Sequence, residues 1–266
     1  MMKSNDAAVL MEKRDGVIDI RFNRPRSLNA ISPELAECFL KCCQEVEVDT
    51  KCRSVVISGE GRAFMAGGDL SHFYENFPGA AETARAMIEP MNAALSILVS
   101  LPLPVVASVH GPVAGAGMSV ALACDLVVAS RDVQFSFGYT QIGASPDVGL
   151  SWSLPRIVGL RRAMGIALLG ENLSAEQALE LGIVNRVVPE EDRADVTEAL
   201  MRTLASGPTT AYGQTKRLFR TTGGRSFEQQ LSEELHAFRA CAATADFVQG
   251  VSAFIEKRKV PTFCGV

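Results

Sequence analysis

Between Pro90 and Cys124 the chain runs for thirty-five residues without a single Asp, Glu, Lys or Arg. That exceeds the ~20 apolar residues a membrane-spanning helix needs, so a bilayer crossing is the first possibility to weigh. Pro102, Pro104 and Pro112 argue against it, because each lacks a backbone N–H and interrupts helical continuity. Gly111, Gly115 and Gly117 weaken a span further. The stretch reads instead as the buried, glycine-rich interior of a folded domain. A chain of 266 residues, 47% hydrophobic, can supply such an interior, since roughly 70–75% of the unfolded surface is covered at this size.

Twenty-six basic and thirty acidic side chains leave a net charge of -4, which gives no footprint for a nucleic-acid partner. Met1–Asp6 has no apolar run long enough for a signal sequence. The seven cysteines are odd in number and scattered. They form no metal-ligand set, and they read as reduced, small apolar side chains of a cytoplasmic protein.

Val9–Lys13 and Val17–Phe22 flank Arg14-Asp15-Gly16 and read as a hairpin. Ser32-Pro33-Glu34 opens a helix to about Val48, with Ser as cap and Pro in the first turn. Strands follow at Ser54–Ser58, Val105–Val109, Asp125–Ala129 and Val133–Ser136, with a helix over Glu82–Ser100 and a small-residue helix ending at Cys124. This alternation indicates an α/β core. After Gly149 helical patterns succeed one another over 149–157, 159–169, 174–181, 190–205, 208–222, 226–241 and 243–258. Ser174 and Gln177 make a capping box, and Ile183–Val188 returns briefly to extended chain. Two regions are expected: a core over 1–195 and a helical part over 196–266. Trp152 and the phenylalanines at helical spacing are assigned to the core.

Two glycine loops follow strands. Val109-His110-Gly111-Pro112-Val113-Ala114-Gly115-Ala116-Gly117-Met118-Ser119 would let a ligand approach bare N–H groups at a helix start, where the dipole favours negative charge. It is no phosphate loop of the Gly-Lys-Ser/Thr kind, since no Lys is near, and it matches a dinucleotide fingerprint only partly because position 120 is Val. Phe64-Met65-Ala66-Gly67-Gly68-Asp69-Leu70 offers a second set of amides. Its structural alternative is an ordinary turn with Asp69 capping the next segment. Two such loops suggest a pair of N–H donors converging on one oxygen, the arrangement that acyl chemistry uses to hold an oxyanion.

These loops resemble those of the crotonase (enoyl-CoA hydratase/isomerase) superfamily, and the resemblance extends from about Val9 to Phe263. It is carried also by Phe22-Asn23-Arg24-Pro25-Arg26-Ser27-Leu28-Asn29-Ala30, by Ser174–Val188 and by Ala253-Phe254-Ile255-Glu256-Lys257-Arg258-Lys259. The resemblance implies a spiral core of ββα units with a C-terminal helical trimerisation part, as a homotrimer or a dimer of trimers. It implies an acyl-CoA thioester as substrate, with coenzyme A as part of that substrate and no bound cofactor. The carbonyl would be held by the amides of Gly68 and Ala116. Arg26, Leu28, Ala30, Ala66, Asp69, Leu70, Gly115, Tyr139, Phe254 and Lys257 are the further positions expected around substrate and CoA. Lys257, Arg258 and Lys259 form a cluster on the terminal helix. A second basic cluster, Lys216, Arg217, Arg220 and Arg225, is read as a solvated or trimer-facing surface.

The departures from the family pattern bear on the reaction. The family's hydratases use two glutamates, whose positions fall on Ser119 and Tyr139 here. Asp147, in Ala144-Ser145-Pro146-Asp147-Val148-Gly149, stands where some family isomerases and a dehalogenase carry an Asp. The dehalogenase's His position is Asn92, and its Trp position is Tyr139. Asp147 is therefore expected to shuttle a proton in an isomerase that shifts a double bond, with a helix N-cap as its structural alternative. A hydratase-like or hydrolytic member, and an inactive CoA-thioester-binding scaffold, are the other readings. His110 is expected to hold structure by hydrogen bonding.

Overall fold

The structure is a computed structural model that describes residues 7–259 and 261–265; the reading of Met1–Asp6 lies outside them. β1 (Val9–Arg14) and β2 (Val17–Phe22) form the expected hairpin, with Arg14 opposite Val17. Asp15 and Gly16 both take positive φ, the twist that a two-residue turn between right-twisted strands requires. α1 (Pro33–Glu47) is capped by the Ser32 side chain, which accepts from the Leu35 amide at 3.2 Å. Its apolar residues Leu35, Ala36, Phe39, Cys42, Cys43 and Val46 recur at helical spacing and are buried. They pack toward α3 (Ala80–Ser100), which buries Met87, Met91, Ala94, Leu95 and Leu98.

A repeating path follows. β3 (Ser54–Gly59) leads through the loop at Met65 to α2 (Leu70–Glu75) and α3. β4 (Val105–Val109) leads to β5 (Pro112–Ala114) and α4 (Ala116–Ala123). β6 (Leu126–Ser130) leads to β7 (Gln134–Ser136), then α5 (Leu150–Val158) and α6 (Leu160–Leu169). β8 (Asn172–Ser174), α7 (Ala175–Glu180) and β9 (Arg186–Val188) close the core. The first strand of each turn joins a six-stranded sheet of order β1-β2-β3-β4-β6-β9, parallel except for β1. The second strand stands in the sheet β5-β7-β8, extended by a bridge from Met65 to Val113. This is the mixed α/β spiral expected. Because side chains alternate along a strand, Val55 and Ile57 face the main core while Val56 faces the other side of the sheet.

That other side is covered by α8 (Glu190–Ala205), whose Val196, Leu200, Met201 and Leu204 pack on Val56, Val106 and Val128. The expected division at 195/196 falls inside this helix. α9 (Thr209–Thr221), α10 (Phe227–Ala242) and α11 (Ala245–Ile255) complete the helical part. The uncharged stretch becomes the second half of α3, then β4, β5 and α4, and among the described residues no helix is long and apolar enough to cross a membrane. Three expectations need correction. Trp152 is 45% exposed with the Arg156 guanidinium over its ring, and Phe219, Phe227, Phe238 and Phe254 are exposed, because nothing in this chain covers those helix faces. The last helix ends at Ile255, since Lys257 takes φ +54 and breaks the turn. β5 and β8 were not expected as strands; each is three residues long and exists only through its partner.

Candidate active site

The two glycine loops meet. Gly67 and Gly115 approach so closely that a Cβ on Gly67 would lie 3.1 Å from the Ala114 carbonyl, and one on Gly115 would lie 3.6 Å from the Gly67 Cα. Gly115 carries φ 52 and ψ -122, a backbone state that glycine takes without a steric cost. Ala116, the next residue, begins α4 with ordinary helical backbone, so Ala in place of the family's usual Gly brings no strain there. As the first helical residue its N–H has no intrahelical acceptor. Around the loops Ile31 donates to Gly67 O, Asp69 to Ile31 O, and Met118 and Ser119 to Gly115 O. The amides of Gly68 and Ala116 donate to none of these main-chain groups.

Neighbouring residues fix the first loop. Arg24 donates to the Asp69 carboxylate at 3.0 Å and to the Ala30 carbonyl, and Asp69 also caps α2 through the His72 amide. The capping role foreseen for Asp69 is therefore real. The Ala66 amide donates to Leu28 O at 3.0 Å, while Leu28 and Asn29 both take positive φ. Sequence reasoning left Asn29 inside a motif without a role. It is fully buried, donates to the carbonyls of Glu60 and Ala63, and accepts from the Arg24 amide. Its signal was an amide side chain in a turn, a residue type that tolerates left-handed backbone.

Asp147 lies beside α4, half-buried, and it is not a helix cap: α5 is preceded by Gly149 with no side-chain cap. Tyr139 Oη donates to Asp147 Oδ1 instead, and Ser119 Oγ donates to the Asp147 carbonyl at 3.1 Å while lying 3.3 Å from Tyr139 Oη. Burial raises the Asp147 pKa above the ordinary carboxylate value, and the Tyr139 hydrogen bond opposes that rise. Burial, with the Asp147 charge beside it, pushes the Tyr139 phenol far above its usual range. The Tyr139 ring lies against Gly115, 3.8 Å from where a Cβ would stand, so carboxylate, phenol and glycine loops are contiguous. Val148, buried and β-branched, holds φ +50 immediately after Asp147. Such a conformation costs about 1–3 kcal/mol and persists where its surroundings impose it.

A cavity of about 240 Å³ borders Val148 and Gly149, with Asn92, Leu95, Ser96 and Trp152 among its walls. The position of the dehalogenase His thus faces this space as an amide. A larger cleft of about 500 Å³ lies between α5 and α9 and includes neither Gly68 nor Ala116.

The cationic residues sort clearly. Arg26 is exposed in a single helical turn at Pro25–Ser27 and has no ion-pair partner among the described residues. Lys216 and Arg220 both pair with Asp125, at 2.8 and 2.7 Å, and Arg217 and Arg225 pair with Glu233. That second cluster is therefore internal neutralisation between α9 and its neighbours. Leu70 is 52% and Phe254 82% exposed. Among the described residues no hydrogen bond, ion pair or ring contact ties Phe254 or Lys257 to the glycine loops. His110 is buried and shares a 2.8 Å hydrogen bond with the Gly61 carbonyl, as expected of a structural residue. Burial lowers its pKa. No group of His, Cys, Asp and Glu suited to a metal occurs among the described residues.

A spiral of ββα turns that brings two glycine loops beside one half-buried carboxylate defines a class, the crotonase-fold enzymes. Residues 12–263 match the enoyl-CoA hydratase/isomerase family model, and the chain belongs to that family. A 1,2-epoxyphenylacetyl-CoA isomerase of Escherichia coli is 38% identical over 258 residues, covering 97% of this chain and 98% of its own length. A trans-2-decenoyl-[acyl-carrier-protein] isomerase of Streptococcus mutans is 32% identical over 97% of this chain and 98% of that protein. The crystal structure of an enoyl-CoA hydratase from Polaromonas superposes with a TM-score of 0.89 at 32% identity, covering 95% of this chain and 98% of that one. The chain is an enzyme of the hydratase/isomerase type that acts on CoA thioesters.

Proposed function

We propose that this enzyme shifts a double bond between 3-enoyl-CoA and 2-enoyl-CoA. The observation that carries the reading is Asp147, a half-buried carboxylate hydrogen-bonded to Tyr139 beside the two glycine loops. In this reading the Gly68 and Ala116 amides hold the thioester oxygen as charge develops on it. Asp147 takes a proton from C2, the electron pair delocalises into the conjugated enolate, and the protonated Asp147 returns the proton at C4. One carboxylate suffices because the proton leaves and returns through the same group. Adding water by the family's two-carboxylate route would need acids at Ser119 and Tyr139, which have none. The name of the trans-2-decenoyl-[acyl-carrier-protein] isomerase fits this reading, while the Polaromonas protein is named a hydratase.

Coenzyme A arrives as part of the substrate, with no separate bound cofactor. Arg26 reaches its phosphates, and Leu28, Ala30, Ala66, Asp69 and Leu70 shape the loop around it. We assign Phe254 and Lys257 to the CoA of a neighbouring subunit in a homotrimer or a dimer of trimers. The exposed Leu160, Met164, Leu168 and Leu169 on α6 and the exposed phenylalanines of the C-terminal helices support self-association.

The test offers a 3-enoyl-CoA and a 2-enoyl-CoA to wild type and Asp147→Asn. The expected result is isomerisation by wild type, falling on the order of 10²–10⁴-fold in Asp147→Asn. Unchanged isomerisation in the variant overturns the mechanism. Hydration of the 2-enoyl thioester by wild type would put the hydratase reading in its place, and no turnover of either would favour a binding scaffold.

A further inference from the structure

We propose that Tyr139 is a positioning residue for Asp147, holding Oδ1 so that Oδ2 is the oxygen that moves the proton, with Ser119 locking the peptide on which Asp147 sits. This rests on Asp147 being the base of the proposed isomerisation and adds to it which oxygen works and what holds it.

The geometry decides the assignment. Tyr139 is 7% exposed, and its ring is fixed edge-on to Phe137 at a centroid distance of 5.3 Å. Its hydroxyl proton goes to Asp147 Oδ1, so the phenol is a donor to the carboxylate and cannot also donate to substrate. Among the described residues Tyr139 is the side chain that donates to the Asp147 carboxylate, and it does so at Oδ1 rather than Oδ2. Ser119 has one hydroxyl proton for three oxygens within reach: the Asp147 carbonyl at 3.1 Å, Tyr139 Oη at 3.3 Å and Gly115 O at 3.5 Å. The shortest contact ties α4 to the Asp147 backbone, next to the left-handed Val148. The two residues standing where relatives carry glutamates thus serve the single carboxylate that remains.

The charges facing Asp147 are few. α4 presents Ser119, and the segment after β7 presents Tyr139. The adjoining cavity brings Asn92 from α3 and, on its wall, Arg220, whose guanidinium pairs with Asp125. Tyr139 is therefore the side chain in direct contact that favours the ionised form of Asp147 against burial. Burial of the carboxylate disfavours the charge and the phenol donation favours it. Removing the donation leaves burial opposed only by the residue's own main-chain amide, so Asp147 holds its proton to higher pH.

The experiment measures kcat and kcat/KM against pH for wild type, Tyr139→Phe, Ser119→Ala and Asp147→Asn on the same 3-enoyl-CoA. Tyr139→Phe is expected to move the acidic limb of kcat/KM upward by about one to two pH units. Its kcat should fall roughly 10- to 100-fold, with KM within about twofold of wild type. Ser119→Ala is expected to shift the limb in the same direction by less. A Tyr139→Phe enzyme that keeps the wild-type limb while Asp147→Asn is inactive overturns the positioning role and leaves the isomerase reading standing. An active Asp147→Asn enzyme overturns the base assignment itself. Loss of stability alone, seen in urea unfolding with an unmoved limb, makes Tyr139 a packing residue and also overturns the proposal. If Tyr139→Phe does not fold, Ser119→Ala is decisive: an unmoved limb there counts against the network.

Discussion

Gly117→Ala tests whether the two donor loops are held in register by a single contact. A Cβ at Gly117 would stand 2.2 Å from the Met65 carbonyl oxygen, against the 3.0 Å below which Cβ contacts essentially do not occur. Met65 or α4 must therefore retreat by about 0.8 Å. Neither can yield locally, because Met65 O accepts from the Ala114 amide at 3.0 Å and the Met65 amide donates to Pro112 O. Met65 lies three residues before Gly68, and Gly117 lies one after Ala116. The retreat is thus transmitted to the distance between the Gly68 and Ala116 amides, the two proposed donors. Displacements near 1 Å cost on the order of 10²-fold in rate, and overpacking of a closed core costs about 1–3 kcal/mol. The expected variant folds, melts several degrees lower and loses about two orders of magnitude in kcat/KM. Gly165→Ala is the control: it lies inside α6 with nothing within 4 Å of a new Cβ. There the helix gains roughly 0.5–1 kcal/mol with no loss of activity. The assays are thermal unfolding and steady-state turnover of a CoA thioester. Wild-type kcat/KM in Gly117→Ala would refute the claim that this contact sets the donor spacing.

Two further outcomes follow from charged groups. Asp19 sits on β2 with Oδ1 buried and unpartnered, and desolvation raises its pKa from 3.8 to about 6 despite Arg21 nearby. A raised folded-state pKa gives stability that is complete below pH ~4 and lost as pH rises through about 6. That gap corresponds to about 3 kcal/mol, halved roughly because water reaches a third of the side chain. Asp19→Asn should match wild type in urea unfolding near pH 4 and be more stable by ~1.5 kcal/mol at pH 8; equal stability at pH 8 counts against it. Arg26→Gln should raise KM for a CoA thioester about fivefold in low salt, leave kcat and the melting temperature unchanged, and lose its effect near 0.5 M salt. A pantetheine thioester lacking the nucleotide phosphates should show no difference between the two enzymes, and equal KM values on the CoA thioester would remove Arg26 from the phosphate site.

The elements written by local chemistry were legible before the structure. Asp15-Gly16 dictates the hairpin, Ser32-Pro33 starts α1, and Ser174 with Gln177 closes a capping box, each within a few residues of sequence. What escaped was decided at a distance. β5 and β8 are too short to announce themselves and become strands only beside β7. The amphipathic pattern of the C-terminal helices is real, but it does not say which apolar faces are covered within one chain, so Trp152 and Phe238 were assigned to a core they do not enter. The site divides in the same way. The two glycine loops were readable from their small residues after strands, whereas Gly68 and Ala116 were singled out only by the resemblance to the family. The bonds from Tyr139 and Ser119 to Asp147 were not readable, since Tyr139 and Asp147 are joined by an irregular loop that turns at a left-handed Gly143.

The uncharged run from Pro90 to Cys124 constrains the chemistry as much as the fold. It supplies the floor of the candidate site, the whole of β4, β5 and α4, and it brings no Asp, Glu, Lys or Arg to the place where the proposed isomerisation forms its enolate. Stabilisation of that charge then has to come from dipoles, the two loop amides and the positive end of α4, all eight of whose residues are buried. Dipoles of the main chain are held by the fold and need no reorganisation when charge appears. A cation in their place would bind an oxyanion more strongly but would also lower the pKa of the neighbouring carboxylate, weakening it as a base. A neutral floor lets burial keep Asp147 basic while the amides hold the oxygen. On this view the lack of charge and the raised pKa of Asp147 are one design, and a Lys introduced at Asn92 should impair proton transfer by pulling the acidic limb to lower pH.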